Sequence, residues 1–267
     1  MNKDTKLILV SNSPRKKMIL NSILNIPFKT VNVTSKENMP KHINDIENIL
    51  KINAISKILA YIEKENISKN QILLSSDTLV SIPDKNLIFG KIEHKNIKLF
   101  KLLAKEQLYF LLGKEQVVYT SIALFGIRNN KYYSDCVKTK LIFRKISKET
   151  EDIIDYYINL KEEGRGPLGK AGGYGLQEPE ILMLAKEVIG DPGIVIGLPI
   201  YNTHKLLIKC GIKKGLNKIN INKIYENIWG KNIWKKQKYF IPESLIKDKN
   251  VLNGNFAPMA KEKIKAK

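Results

Sequence analysis

A short apolar run that ends in a serine- and proline-containing turn determines what the first part of this chain can form. Residues 7–10 are strand-forming, and residues 11–14 break the run. Ser13 is a favoured helix N-cap, and Pro14 suits the first helical position because its missing N–H costs nothing there. The segment therefore predicts a strand, a tight turn and a helix, whose free N–H groups and dipole favour an anion.

Two basic residues, Arg15 and Lys16, follow in the first turn of this predicted helix. Cations at a helix N-terminus oppose the dipole, so they do not serve helix stability there. They fit a bound anion, because arginine binds phosphate through two parallel hydrogen bonds. Only four of the 46 basic residues in the sequence are arginines, and one of them stands here. A phosphate site and an ordinary strand–helix turn with exposed basic residues are both open at this point.

The formal net charge is +20 over 267 residues, 43% of which are hydrophobic. The charge is spread along the whole chain, which favours a general enrichment in lysine over a dedicated nucleic-acid or membrane surface. Nucleic acid is therefore not expected as a partner, although the positive field would steer polyanions such as nucleotides. No window approaches the roughly 20 apolar residues of a membrane span. The first apolar run, about four residues, is too short for a signal peptide, so a cytoplasmic protein is expected.

Cysteine and histidine form no recognisable site in the sequence. Cys136 and Cys210 are too far apart for a disulfide framework or a metal knuckle, and buried free thiols are expected. His42, His94 and His204 lack the spacing of zinc ligands. Zinc is therefore not expected.

Periodicity and turn signals predict an α/β protein beyond the first helix. A long helix with an apolar face is predicted from about residue 46 to 62, and it carries Lys57. Strands at 117–125 and 132–143, with a turn at 128–130, form the clearest antiparallel pair. The remaining predicted elements are strands at 28–33, 72–74 and 79–82, helices at about 95–105, 147–160 and 201–211, and a core segment at 194–199.

Asp77 is the best catalytic candidate, because it is an isolated acid between two predicted strand pieces. A carboxylate at a strand end can hold Mg²⁺ and orient a water molecule. The alternative is an aspartate that forms a turn with its own backbone. Glu37, in a polar loop, is a weaker candidate for a second metal ligand. Lys57 and Lys91 are, on local sequence alone, two surface charges among many.

Residues 164–177 contain six glycines in fourteen positions and are predicted to form a loop. Glycine lets the backbone approach a ligand closely. Lys170, Tyr174 and Gln177 are interleaved with the glycines and offer a cation, a stacking face and an amide. A flexible surface loop is the alternative.

The character of the sequence changes after about Lys213. Residues 214–267 contain 13 lysines, no arginine and four acids. Apolar residues from 221 to 229 predict an amphipathic helix that includes Trp229, and the second tryptophan, Trp234, lies shortly after it. A helix packed on the core, followed by a mobile tail, is expected. A docking or dimer element and a basic nucleic-acid patch are the alternatives.

Several segments of the sequence occur together in a characteristic order and spacing. The chain thereby resembles the Maf family of nucleoside triphosphate pyrophosphatases over about residues 5–213. The resemblance implies an α/β fold with a mixed β-sheet, flanking helices and two lobes around a cleft, with 214–267 as a Lys-rich extension. The matching segments are SNSPR (11–15), SDT (76–78) followed by FGK (89–91), KAGGYGLQ (170–177) and VIGLP (195–199).

The resemblance also implies a reaction and a set of site residues. Water attacks the α-phosphate of a nucleoside triphosphate in a metal-dependent reaction that releases the monophosphate and pyrophosphate. Asp77-Thr78 and KAGGYGLQ resemble the branch that acts on dTTP and UTP rather than on 7-methyl-GTP. By position, Asp77 is the implied proton acceptor, and Glu37 and Asp77 are the implied ligands of Mg²⁺ or Mn²⁺. Base selection is implied for Arg15, Thr78 and Gln177, and triphosphate binding for Ser11, Lys16, Lys57 and Lys91.

Four positions depart from the family pattern. Lys16 stands where a second arginine is usual, and Ile92 where proline is usual. Gly169 replaces an aspartate before KAGGYGLQ, and Glu178 replaces a glycine after it. These two positions adjoin the expected base pocket and bear on substrate choice.

Rival functions therefore stay open at the level of sequence. Modified pyrimidine nucleotides are further expected substrates beside dTTP and UTP, and one rival is a pyrophosphatase acting on 7-methyl-GTP or on a broad range of non-standard nucleotides. Another is a non-catalytic nucleotide-binding protein in septum formation and cell-division arrest, with the extension as its partner surface. A homodimer is also compatible with the sequence.

The first prediction concerns the extension. We predict that deletion of 214–267 leaves nucleotide turnover per folded molecule largely unchanged, because the matching motifs all precede it. Turnover is measured alongside the folded fraction from thermal unfolding. Loss of turnover with folding preserved would contradict the prediction, and tight, salt-sensitive DNA binding by the extension would support the nucleic-acid alternative.

Overall fold

A mixed β-sheet forms the framework of the protein. The computed structural model describes residues 6–65, 67–68, 70–126 and 130–212, together with 216, 224–226 and 228. Within this part of the chain, seven strands form one sheet: β1 (Lys6–Val10), β2 (Phe28–Val31), β3 (Gln71–Ile82), β4 (Leu87–Phe89), β5 (Glu115–Gly126), β6 (Lys131–Phe143) and β7 (Ala185–Ile189). The helices are α1 (Pro14–Ile23), α2 (Ile46–Lys64), α3 (Ile97–Leu111), α4 (Lys148–Tyr157), α5 (Pro179–Leu184), α6 (Pro192–Ile196) and α7 (Ile200–Lys209).

The strand order is β2-β1-β3-β5-β6-β7, and the short β4 pairs with the end of β3. β1 is parallel to both of its neighbours, whereas β3, β5, β6 and β7 pair antiparallel. This confirms the α/β class and the mixed sheet expected from the sequence. β3 lies where the two parts of the sheet meet, because it pairs parallel with β1 and antiparallel with β5.

The first strand, turn and helix form as the sequence predicts. Ser13 has an extended backbone, with φ −68° and ψ 114°, and Pro14 is the first residue of α1. Leu7 and Leu9 face the core that contains α1, while Ile8 and Val10 face the core beneath α2. Because both faces of β1 are covered, its sequence is a continuous apolar run rather than an alternating one.

The sequence was wrong about the segment around Asp77, which was expected to lie between two short strand pieces. β3 instead runs without interruption from Gln71 to Ile82 and pairs with β5 along that length. The polar residues are accommodated because their side chains find partners. Ser76 Oγ donates to the carbonyl oxygen of Gly197 at 2.9 Å, and the hydroxyls of Thr78 and Thr120 lie 2.8 Å apart. Asp77 therefore lies within a buried strand, not at a strand end.

Other boundaries shift by a few residues. The helix predicted at 95–105 extends to Leu111, and the strand predicted at 28–33 ends at Val31. On α2, Ile52 and Leu59 are 49% and 42% exposed although they were assigned to the apolar face. Among the described residues, no helix is both long enough and apolar enough to cross a membrane.

A few described residues lie beyond position 212, and they pack on the core. Residues 224–226 and 228 are helical, and Ile224 and Tyr225 are buried. The Tyr225 hydroxyl donates to Asp191 Oδ1 and accepts a hydrogen bond of 2.9 Å from the N–H of Gly193. The boundary at 213 stays a prediction, and both tryptophans of the predicted helix and tail lie outside the described residues.

The Tyr225 contacts generate a prediction. Tyr225→Phe removes the hydroxyl that bonds to Asp191 and Gly193 but keeps the buried ring. We expect the free energy of unfolding to fall by about 1–2 kcal/mol, because buried polar groups lose a partner. Urea unfolding measures the change. Tyr156→Phe is the matched control, since Tyr156 is 60% exposed; equal stability of the two variants would contradict the expected role of the hydroxyl.

Candidate active site

A cleft of about 360 Å³ opens where the β1–α1 turn meets β3. Its walls come from the β1–α1 turn, the loop after β2, α2, β3, the segment after β4, the glycine-rich loop and the α6 turn. These elements are far apart in sequence, so the fold has to assemble the site. The cleft is lined by eight of the residues predicted from the sequence: Ser11, Arg15, Lys16, Glu37, Lys57, Asp77, Thr78 and Lys91.

Gln177 is the exception among the predicted site residues. It is half-buried and lies outside the residues that line the cleft. Its side-chain amide lies against Gly175, where a Cβ atom would come within 2.5 Å of Gln177 Nε2. Its Oε1 atom is buried and has no hydrogen-bond partner in the part of the chain that the structure describes.

Carboxylates and lysines alternate along one side of the cleft. Lys57 Nζ lies 2.8 Å from Asp77 Oδ1 and 2.9 Å from Glu37 Oε1, so one ammonium bridges both acids. Lys91 Nζ contacts both oxygens of Glu37, at 2.7 and 2.8 Å. We call these four residues the carboxylate–lysine array.

Secondary structure explains how the array forms. Successive side chains of a strand point to opposite faces of a sheet. Leu73 and Leu79 belong to the clusters beneath α2, and Ser75 Oγ donates to a carbonyl oxygen of α2, that of Ala54. Asp77 shares this face by register, and Lys57 extends from the helix that covers it. The packing of α2 against this face of the sheet therefore brings the Lys57 ammonium and the Asp77 carboxylate together.

Two members of the array, Glu37 and Lys57, have shifted pKa values. Burial acts to raise the pKa of Glu37, but Lys57 and Lys91 outweigh it and lower that pKa to about 2. Burial likewise acts to lower the pKa of Lys57, and the carboxylates of Asp77 and Glu37 reverse this and raise it. Glu37 is therefore anionic and Lys57 cationic at neutral pH.

The two cations of α1 are held in a different way. Lys16 is buried, and its Nζ donates to the carbonyl oxygen of Ser76 at 2.8 Å. Burial, reinforced by repulsion from Lys57, lowers the pKa of Lys16 well below its ordinary value. Burial also lowers the pKa of Arg15, which contacts the carbonyl oxygen of Gly169 at 3.4 Å. An anion in the cleft would compensate both cations, which is what a phosphate-binding turn requires.

The structure reveals a further contact to Asp77 that the sequence analysis missed. Asn53 Nδ2 donates to Asp77 Oδ2 at 2.9 Å from the buried face of α2. The available signal was an amide four residues before Lys57, on the same side of the helix as Leu50 and Ile46. Asn53 was missed because only the apolar residues of α2 were assigned to its buried face.

The glycine-rich loop is fastened to the sheet by its backbone. The N–H of Gly172 donates to the carbonyl oxygen of Gly90 at 3.0 Å, next to Lys91. Gly172 has φ +71°, and a Cβ atom there would lie 2.6 Å from the Tyr174 ring and 2.9 Å from Val80. Glycine is therefore required at this position by both conformation and space.

Glu178, one of the departures from the family pattern, accepts hydrogen bonds from the glycine-rich loop and from α4. Its Oε2 accepts hydrogen bonds of 2.7 Å from Lys170 Nζ and from the Tyr157 hydroxyl. Its Oε1 accepts one of 2.9 Å from the N–H of Gly166. Lys170 and Glu178 are only 2% and 3% exposed. Burial lowers the pKa of Lys170 to about 8, although Glu178 opposes the shift.

The donor set available to a metal is small. Among the described residues, no group of three or more histidine, cysteine, aspartate or glutamate side chains could hold a metal ion. The carboxylates of Glu37 and Asp77, which share Lys57, are the acids that meet in the cleft. Mg²⁺ is often bound by one or two carboxylates together with substrate phosphates, so this pair fits such an ion.

The mixed sheet, the cationic helix start and the paired carboxylates define an α/β protein whose cleft suits a polyanion. The Maf-like protein family model matches residues 6–210, and the chain belongs to this family. The seven strands, helices α1 to α7 and the matching segments of the sequence lie within that range.

Individual relatives agree with the family assignment. A dTTP/UTP pyrophosphatase of Thermosipho melanesiensis is 35% identical over 194 residues, which cover 73% of this chain and 92% of that protein. A dTTP/UTP pyrophosphatase of Chlorobium phaeovibrioides is 32% identical over 195 residues, covering 73% and 91%. One from Bacillus cytotoxicus is 33% identical over 195 residues, covering 73% and 90%.

The buried Lys170–Glu178 pair yields a prediction. We expect Glu178→Gln to lower the free energy of unfolding by about 3 kcal/mol at pH 7, because it leaves a buried ammonium without its counter-charge. Without Glu178 the pKa of Lys170 falls further below about 8. The folded variant then loses the Lys170 proton at lower pH than the native protein, while the unfolded chains keep it. The difference in the free energy of unfolding between the native protein and Glu178→Gln should therefore shrink as the pH approaches 8 and stay constant above pH 8.

Urea unfolding at pH 6, 7, 8 and 9 checks both parts of this prediction. Glu163→Gln is the matched control, because Glu163 is exposed. A deficit that matches the control, or that does not change between pH 6 and 8, would show that Glu178 does not compensate Lys170.

Proposed function

We propose that this protein is a nucleoside triphosphate pyrophosphatase that hydrolyses dTTP and UTP to the monophosphate and pyrophosphate. The observation that carries the proposal is the carboxylate–lysine array, which lines the same cleft as the cationic start of α1. The names of the relatives, dTTP/UTP pyrophosphatase, supply the substrate class. We further propose that the enzyme acts in the cytoplasm on free nucleotides, including modified pyrimidine nucleotides.

Phosphate binding is the first task of such an enzyme. A triphosphate carries about four negative charges near neutral pH, and these repel an anionic nucleophile until they are neutralised. Lys16, Lys57 and Lys91 all line the cleft, and the Nζ atoms of Lys16 and Lys57 both donate to the carbonyl oxygen of Ser76. We propose that these lysines bind the triphosphate, together with the Ser11 hydroxyl and the N–H groups at the start of α1.

Asp77 is the proposed proton acceptor. A water molecule attacks the α-phosphorus, the bond from that phosphorus to the bridging oxygen breaks, and pyrophosphate leaves. The proton of the water passes to the Asp77 carboxylate, which acts as a general base. Burial of Asp77 within β3 holds the carboxylate in one place, which favours attack along a single direction.

Glu37 and Asp77 are the proposed protein ligands of a divalent cation, Mg²⁺ or Mn²⁺. The bound cation would supply neutralisation of phosphate charge next to the attacking water. Two carboxylates are sufficient for this because the phosphates of the substrate complete the coordination. The proposal is supported by the meeting of both acids at Lys57.

Base selection is proposed for Arg15, Thr78 and Gln177. Arg15 and Thr78 line the cleft, and the Thr78 hydroxyl is already engaged with Thr120. The Gln177 amide can donate and accept at once, which suits a pyrimidine edge. Because it lies against Gly175, the side chain has to turn to reach a nucleotide in the cleft.

The test is pyrophosphate release from dTTP, UTP, CTP, GTP and 7-methyl-GTP with Mg²⁺ or Mn²⁺. We expect turnover of dTTP and UTP, and a loss of about 10³-fold in Asp77→Asn, because the amide cannot accept the proton. Asp84→Asn is the matched control, since Asp84 is exposed in the turn after β3.

Other outcomes would change the proposed substrate, the proposed role of Asp77 or the proposed activity. Preference for 7-methyl-GTP, or equal turnover of all nucleotides, would replace the substrate assignment. An active Asp77→Asn variant would remove Asp77 from its proposed role. Binding of dTTP without any hydrolysis would favour a nucleotide-binding protein in cell-division arrest.

A further inference from the structure

Asn53 makes three hydrogen bonds from a position where water does not reach it. Its side chain lies on the buried face of α2 and the residue is 1% exposed. Nδ2 donates to Asp77 Oδ2 at 2.9 Å and to the carbonyl oxygen of Asn38 at 3.0 Å. Oδ1 accepts a hydrogen bond of 2.9 Å from the N–H of Asn38. Both hydrogens of the amide nitrogen are therefore used.

The partners fix the orientation of this amide. A side-chain amide has two donors on nitrogen and an acceptor oxygen. The nitrogen of Asn53 faces a carboxylate and a carbonyl oxygen, which only accept, while its oxygen faces an N–H, which only donates. A flipped amide would lose all three hydrogen bonds, so the assignment does not depend on a choice between equivalent networks.

The contact with Asn38 holds the loop that carries Glu37. This loop, from residue 32 to 42, has no helix or strand of its own. Asn53 pairs with both backbone groups of Asn38, much as a neighbouring strand would. Glu37 is the adjacent residue, and it reaches Lys57 one helical turn beyond Asn53. One side chain therefore connects the loop of one acid to the carboxylate of the other.

We infer that Asn53 is a positioning residue for the reaction, and this inference rests on the proposed function. Asn53 holds Asp77 Oδ2, and Oδ1 of the same carboxylate contacts Lys57. At the same time it holds Asn38, which keeps Glu37 at the distance that lets Lys57 bridge both acids. Loss of the Asn53 amide should therefore displace two carboxylates together.

Two variants test the inference in the full-length chain. Asn53→Leu removes all three hydrogen bonds. Asn53→Asp is nearly isosteric, but it removes both donors and sets a second carboxylate against Asp77. We expect each to lower kcat for dTTP between about 10-fold and 100-fold, because a displaced catalytic group loses its alignment. KM should change less than kcat, because Asn53 itself contacts none of the residues proposed to bind the triphosphate.

Asn48→Leu and Asn48→Asp are the matched controls, because Asn48 is an exposed asparagine on the same helix. Rates are expressed per folded molecule from thermal unfolding, so that lost stability is not counted as lost positioning. If Asn53→Leu does not fold, Asn53→Asp carries the kinetic test. A kcat within about threefold of the controls in the folded Asn53 variants overturns the inference.

Hydrogen exchange at the Asn38 amide gives a readout that does not depend on activity. In the native protein and in Asn48→Leu this N–H should be protected, although it lies in a loop. In Asn53→Leu it should exchange about tenfold faster, because its acceptor is gone; if Asn53→Leu does not fold, Asn53→Ser, which also removes this acceptor, takes its place. Equal exchange rates overturn the inference. If the native chain hydrolyses no nucleotide, the proposed function fails, and this exchange comparison alone decides whether Asn53 holds the loop.

Discussion

The site depends on one ammonium group placed between two carboxylates. Without Lys57, the carboxylates of Asp77 and Glu37 would meet in a partly buried cleft without a counter-charge between them. Lys57 lies within 3 Å of both, and together with Lys91 it lowers the pKa of Glu37 to about 2. The arrangement requires α2, β3 and the loop after β2 to meet at one point. The packing of these elements is therefore also the condition for the chemistry.

The sheet supplies that meeting point by using the two faces of β3 differently. The face beneath α2 presents Asp77 to Lys57 and Asn53. The opposite face presents Ser76 and Thr78 towards the α6 turn, whose Gly197 carbonyl accepts from Ser76. Because adjacent side chains of β3 lie on opposite faces of the sheet, a shift of register by one residue would exchange these contacts. The long pairing of β3 with β5 fixes the register.

Local signals and tertiary contacts account for what the sequence could and could not predict. The strand, turn and helix at the start were predictable because Ser13 and Pro14 act on their own neighbours. Lys57 and Lys91 were identified only through family resemblance, since nothing nearby distinguishes them from other lysines. The prediction of two short strands in place of β3 was wrong, because a Ser-Ser-Asp-Thr segment is typical of turns. Its strand conformation depends on hydrogen-bond partners that are distant in sequence. The Asn53 contacts reach 15 and 24 residues along the chain, which no local pattern encodes.

The hydroxyl of Tyr225 has a consequence for how the protein is made. It completes the hydrogen bonds of Asp191 and Gly193, at the start of the turn that forms one wall of the cleft, from 34 positions further along the chain. During synthesis the cationic turn at residues 11–16 emerges early, and Tyr225, whose hydroxyl bonds to this wall, emerges much later. A nascent chain thus carries the cationic turn for most of its synthesis before Tyr225 can bond to Asp191 and Gly193. These hydrogen bonds are among the last long-range contacts that the described part of the chain can form.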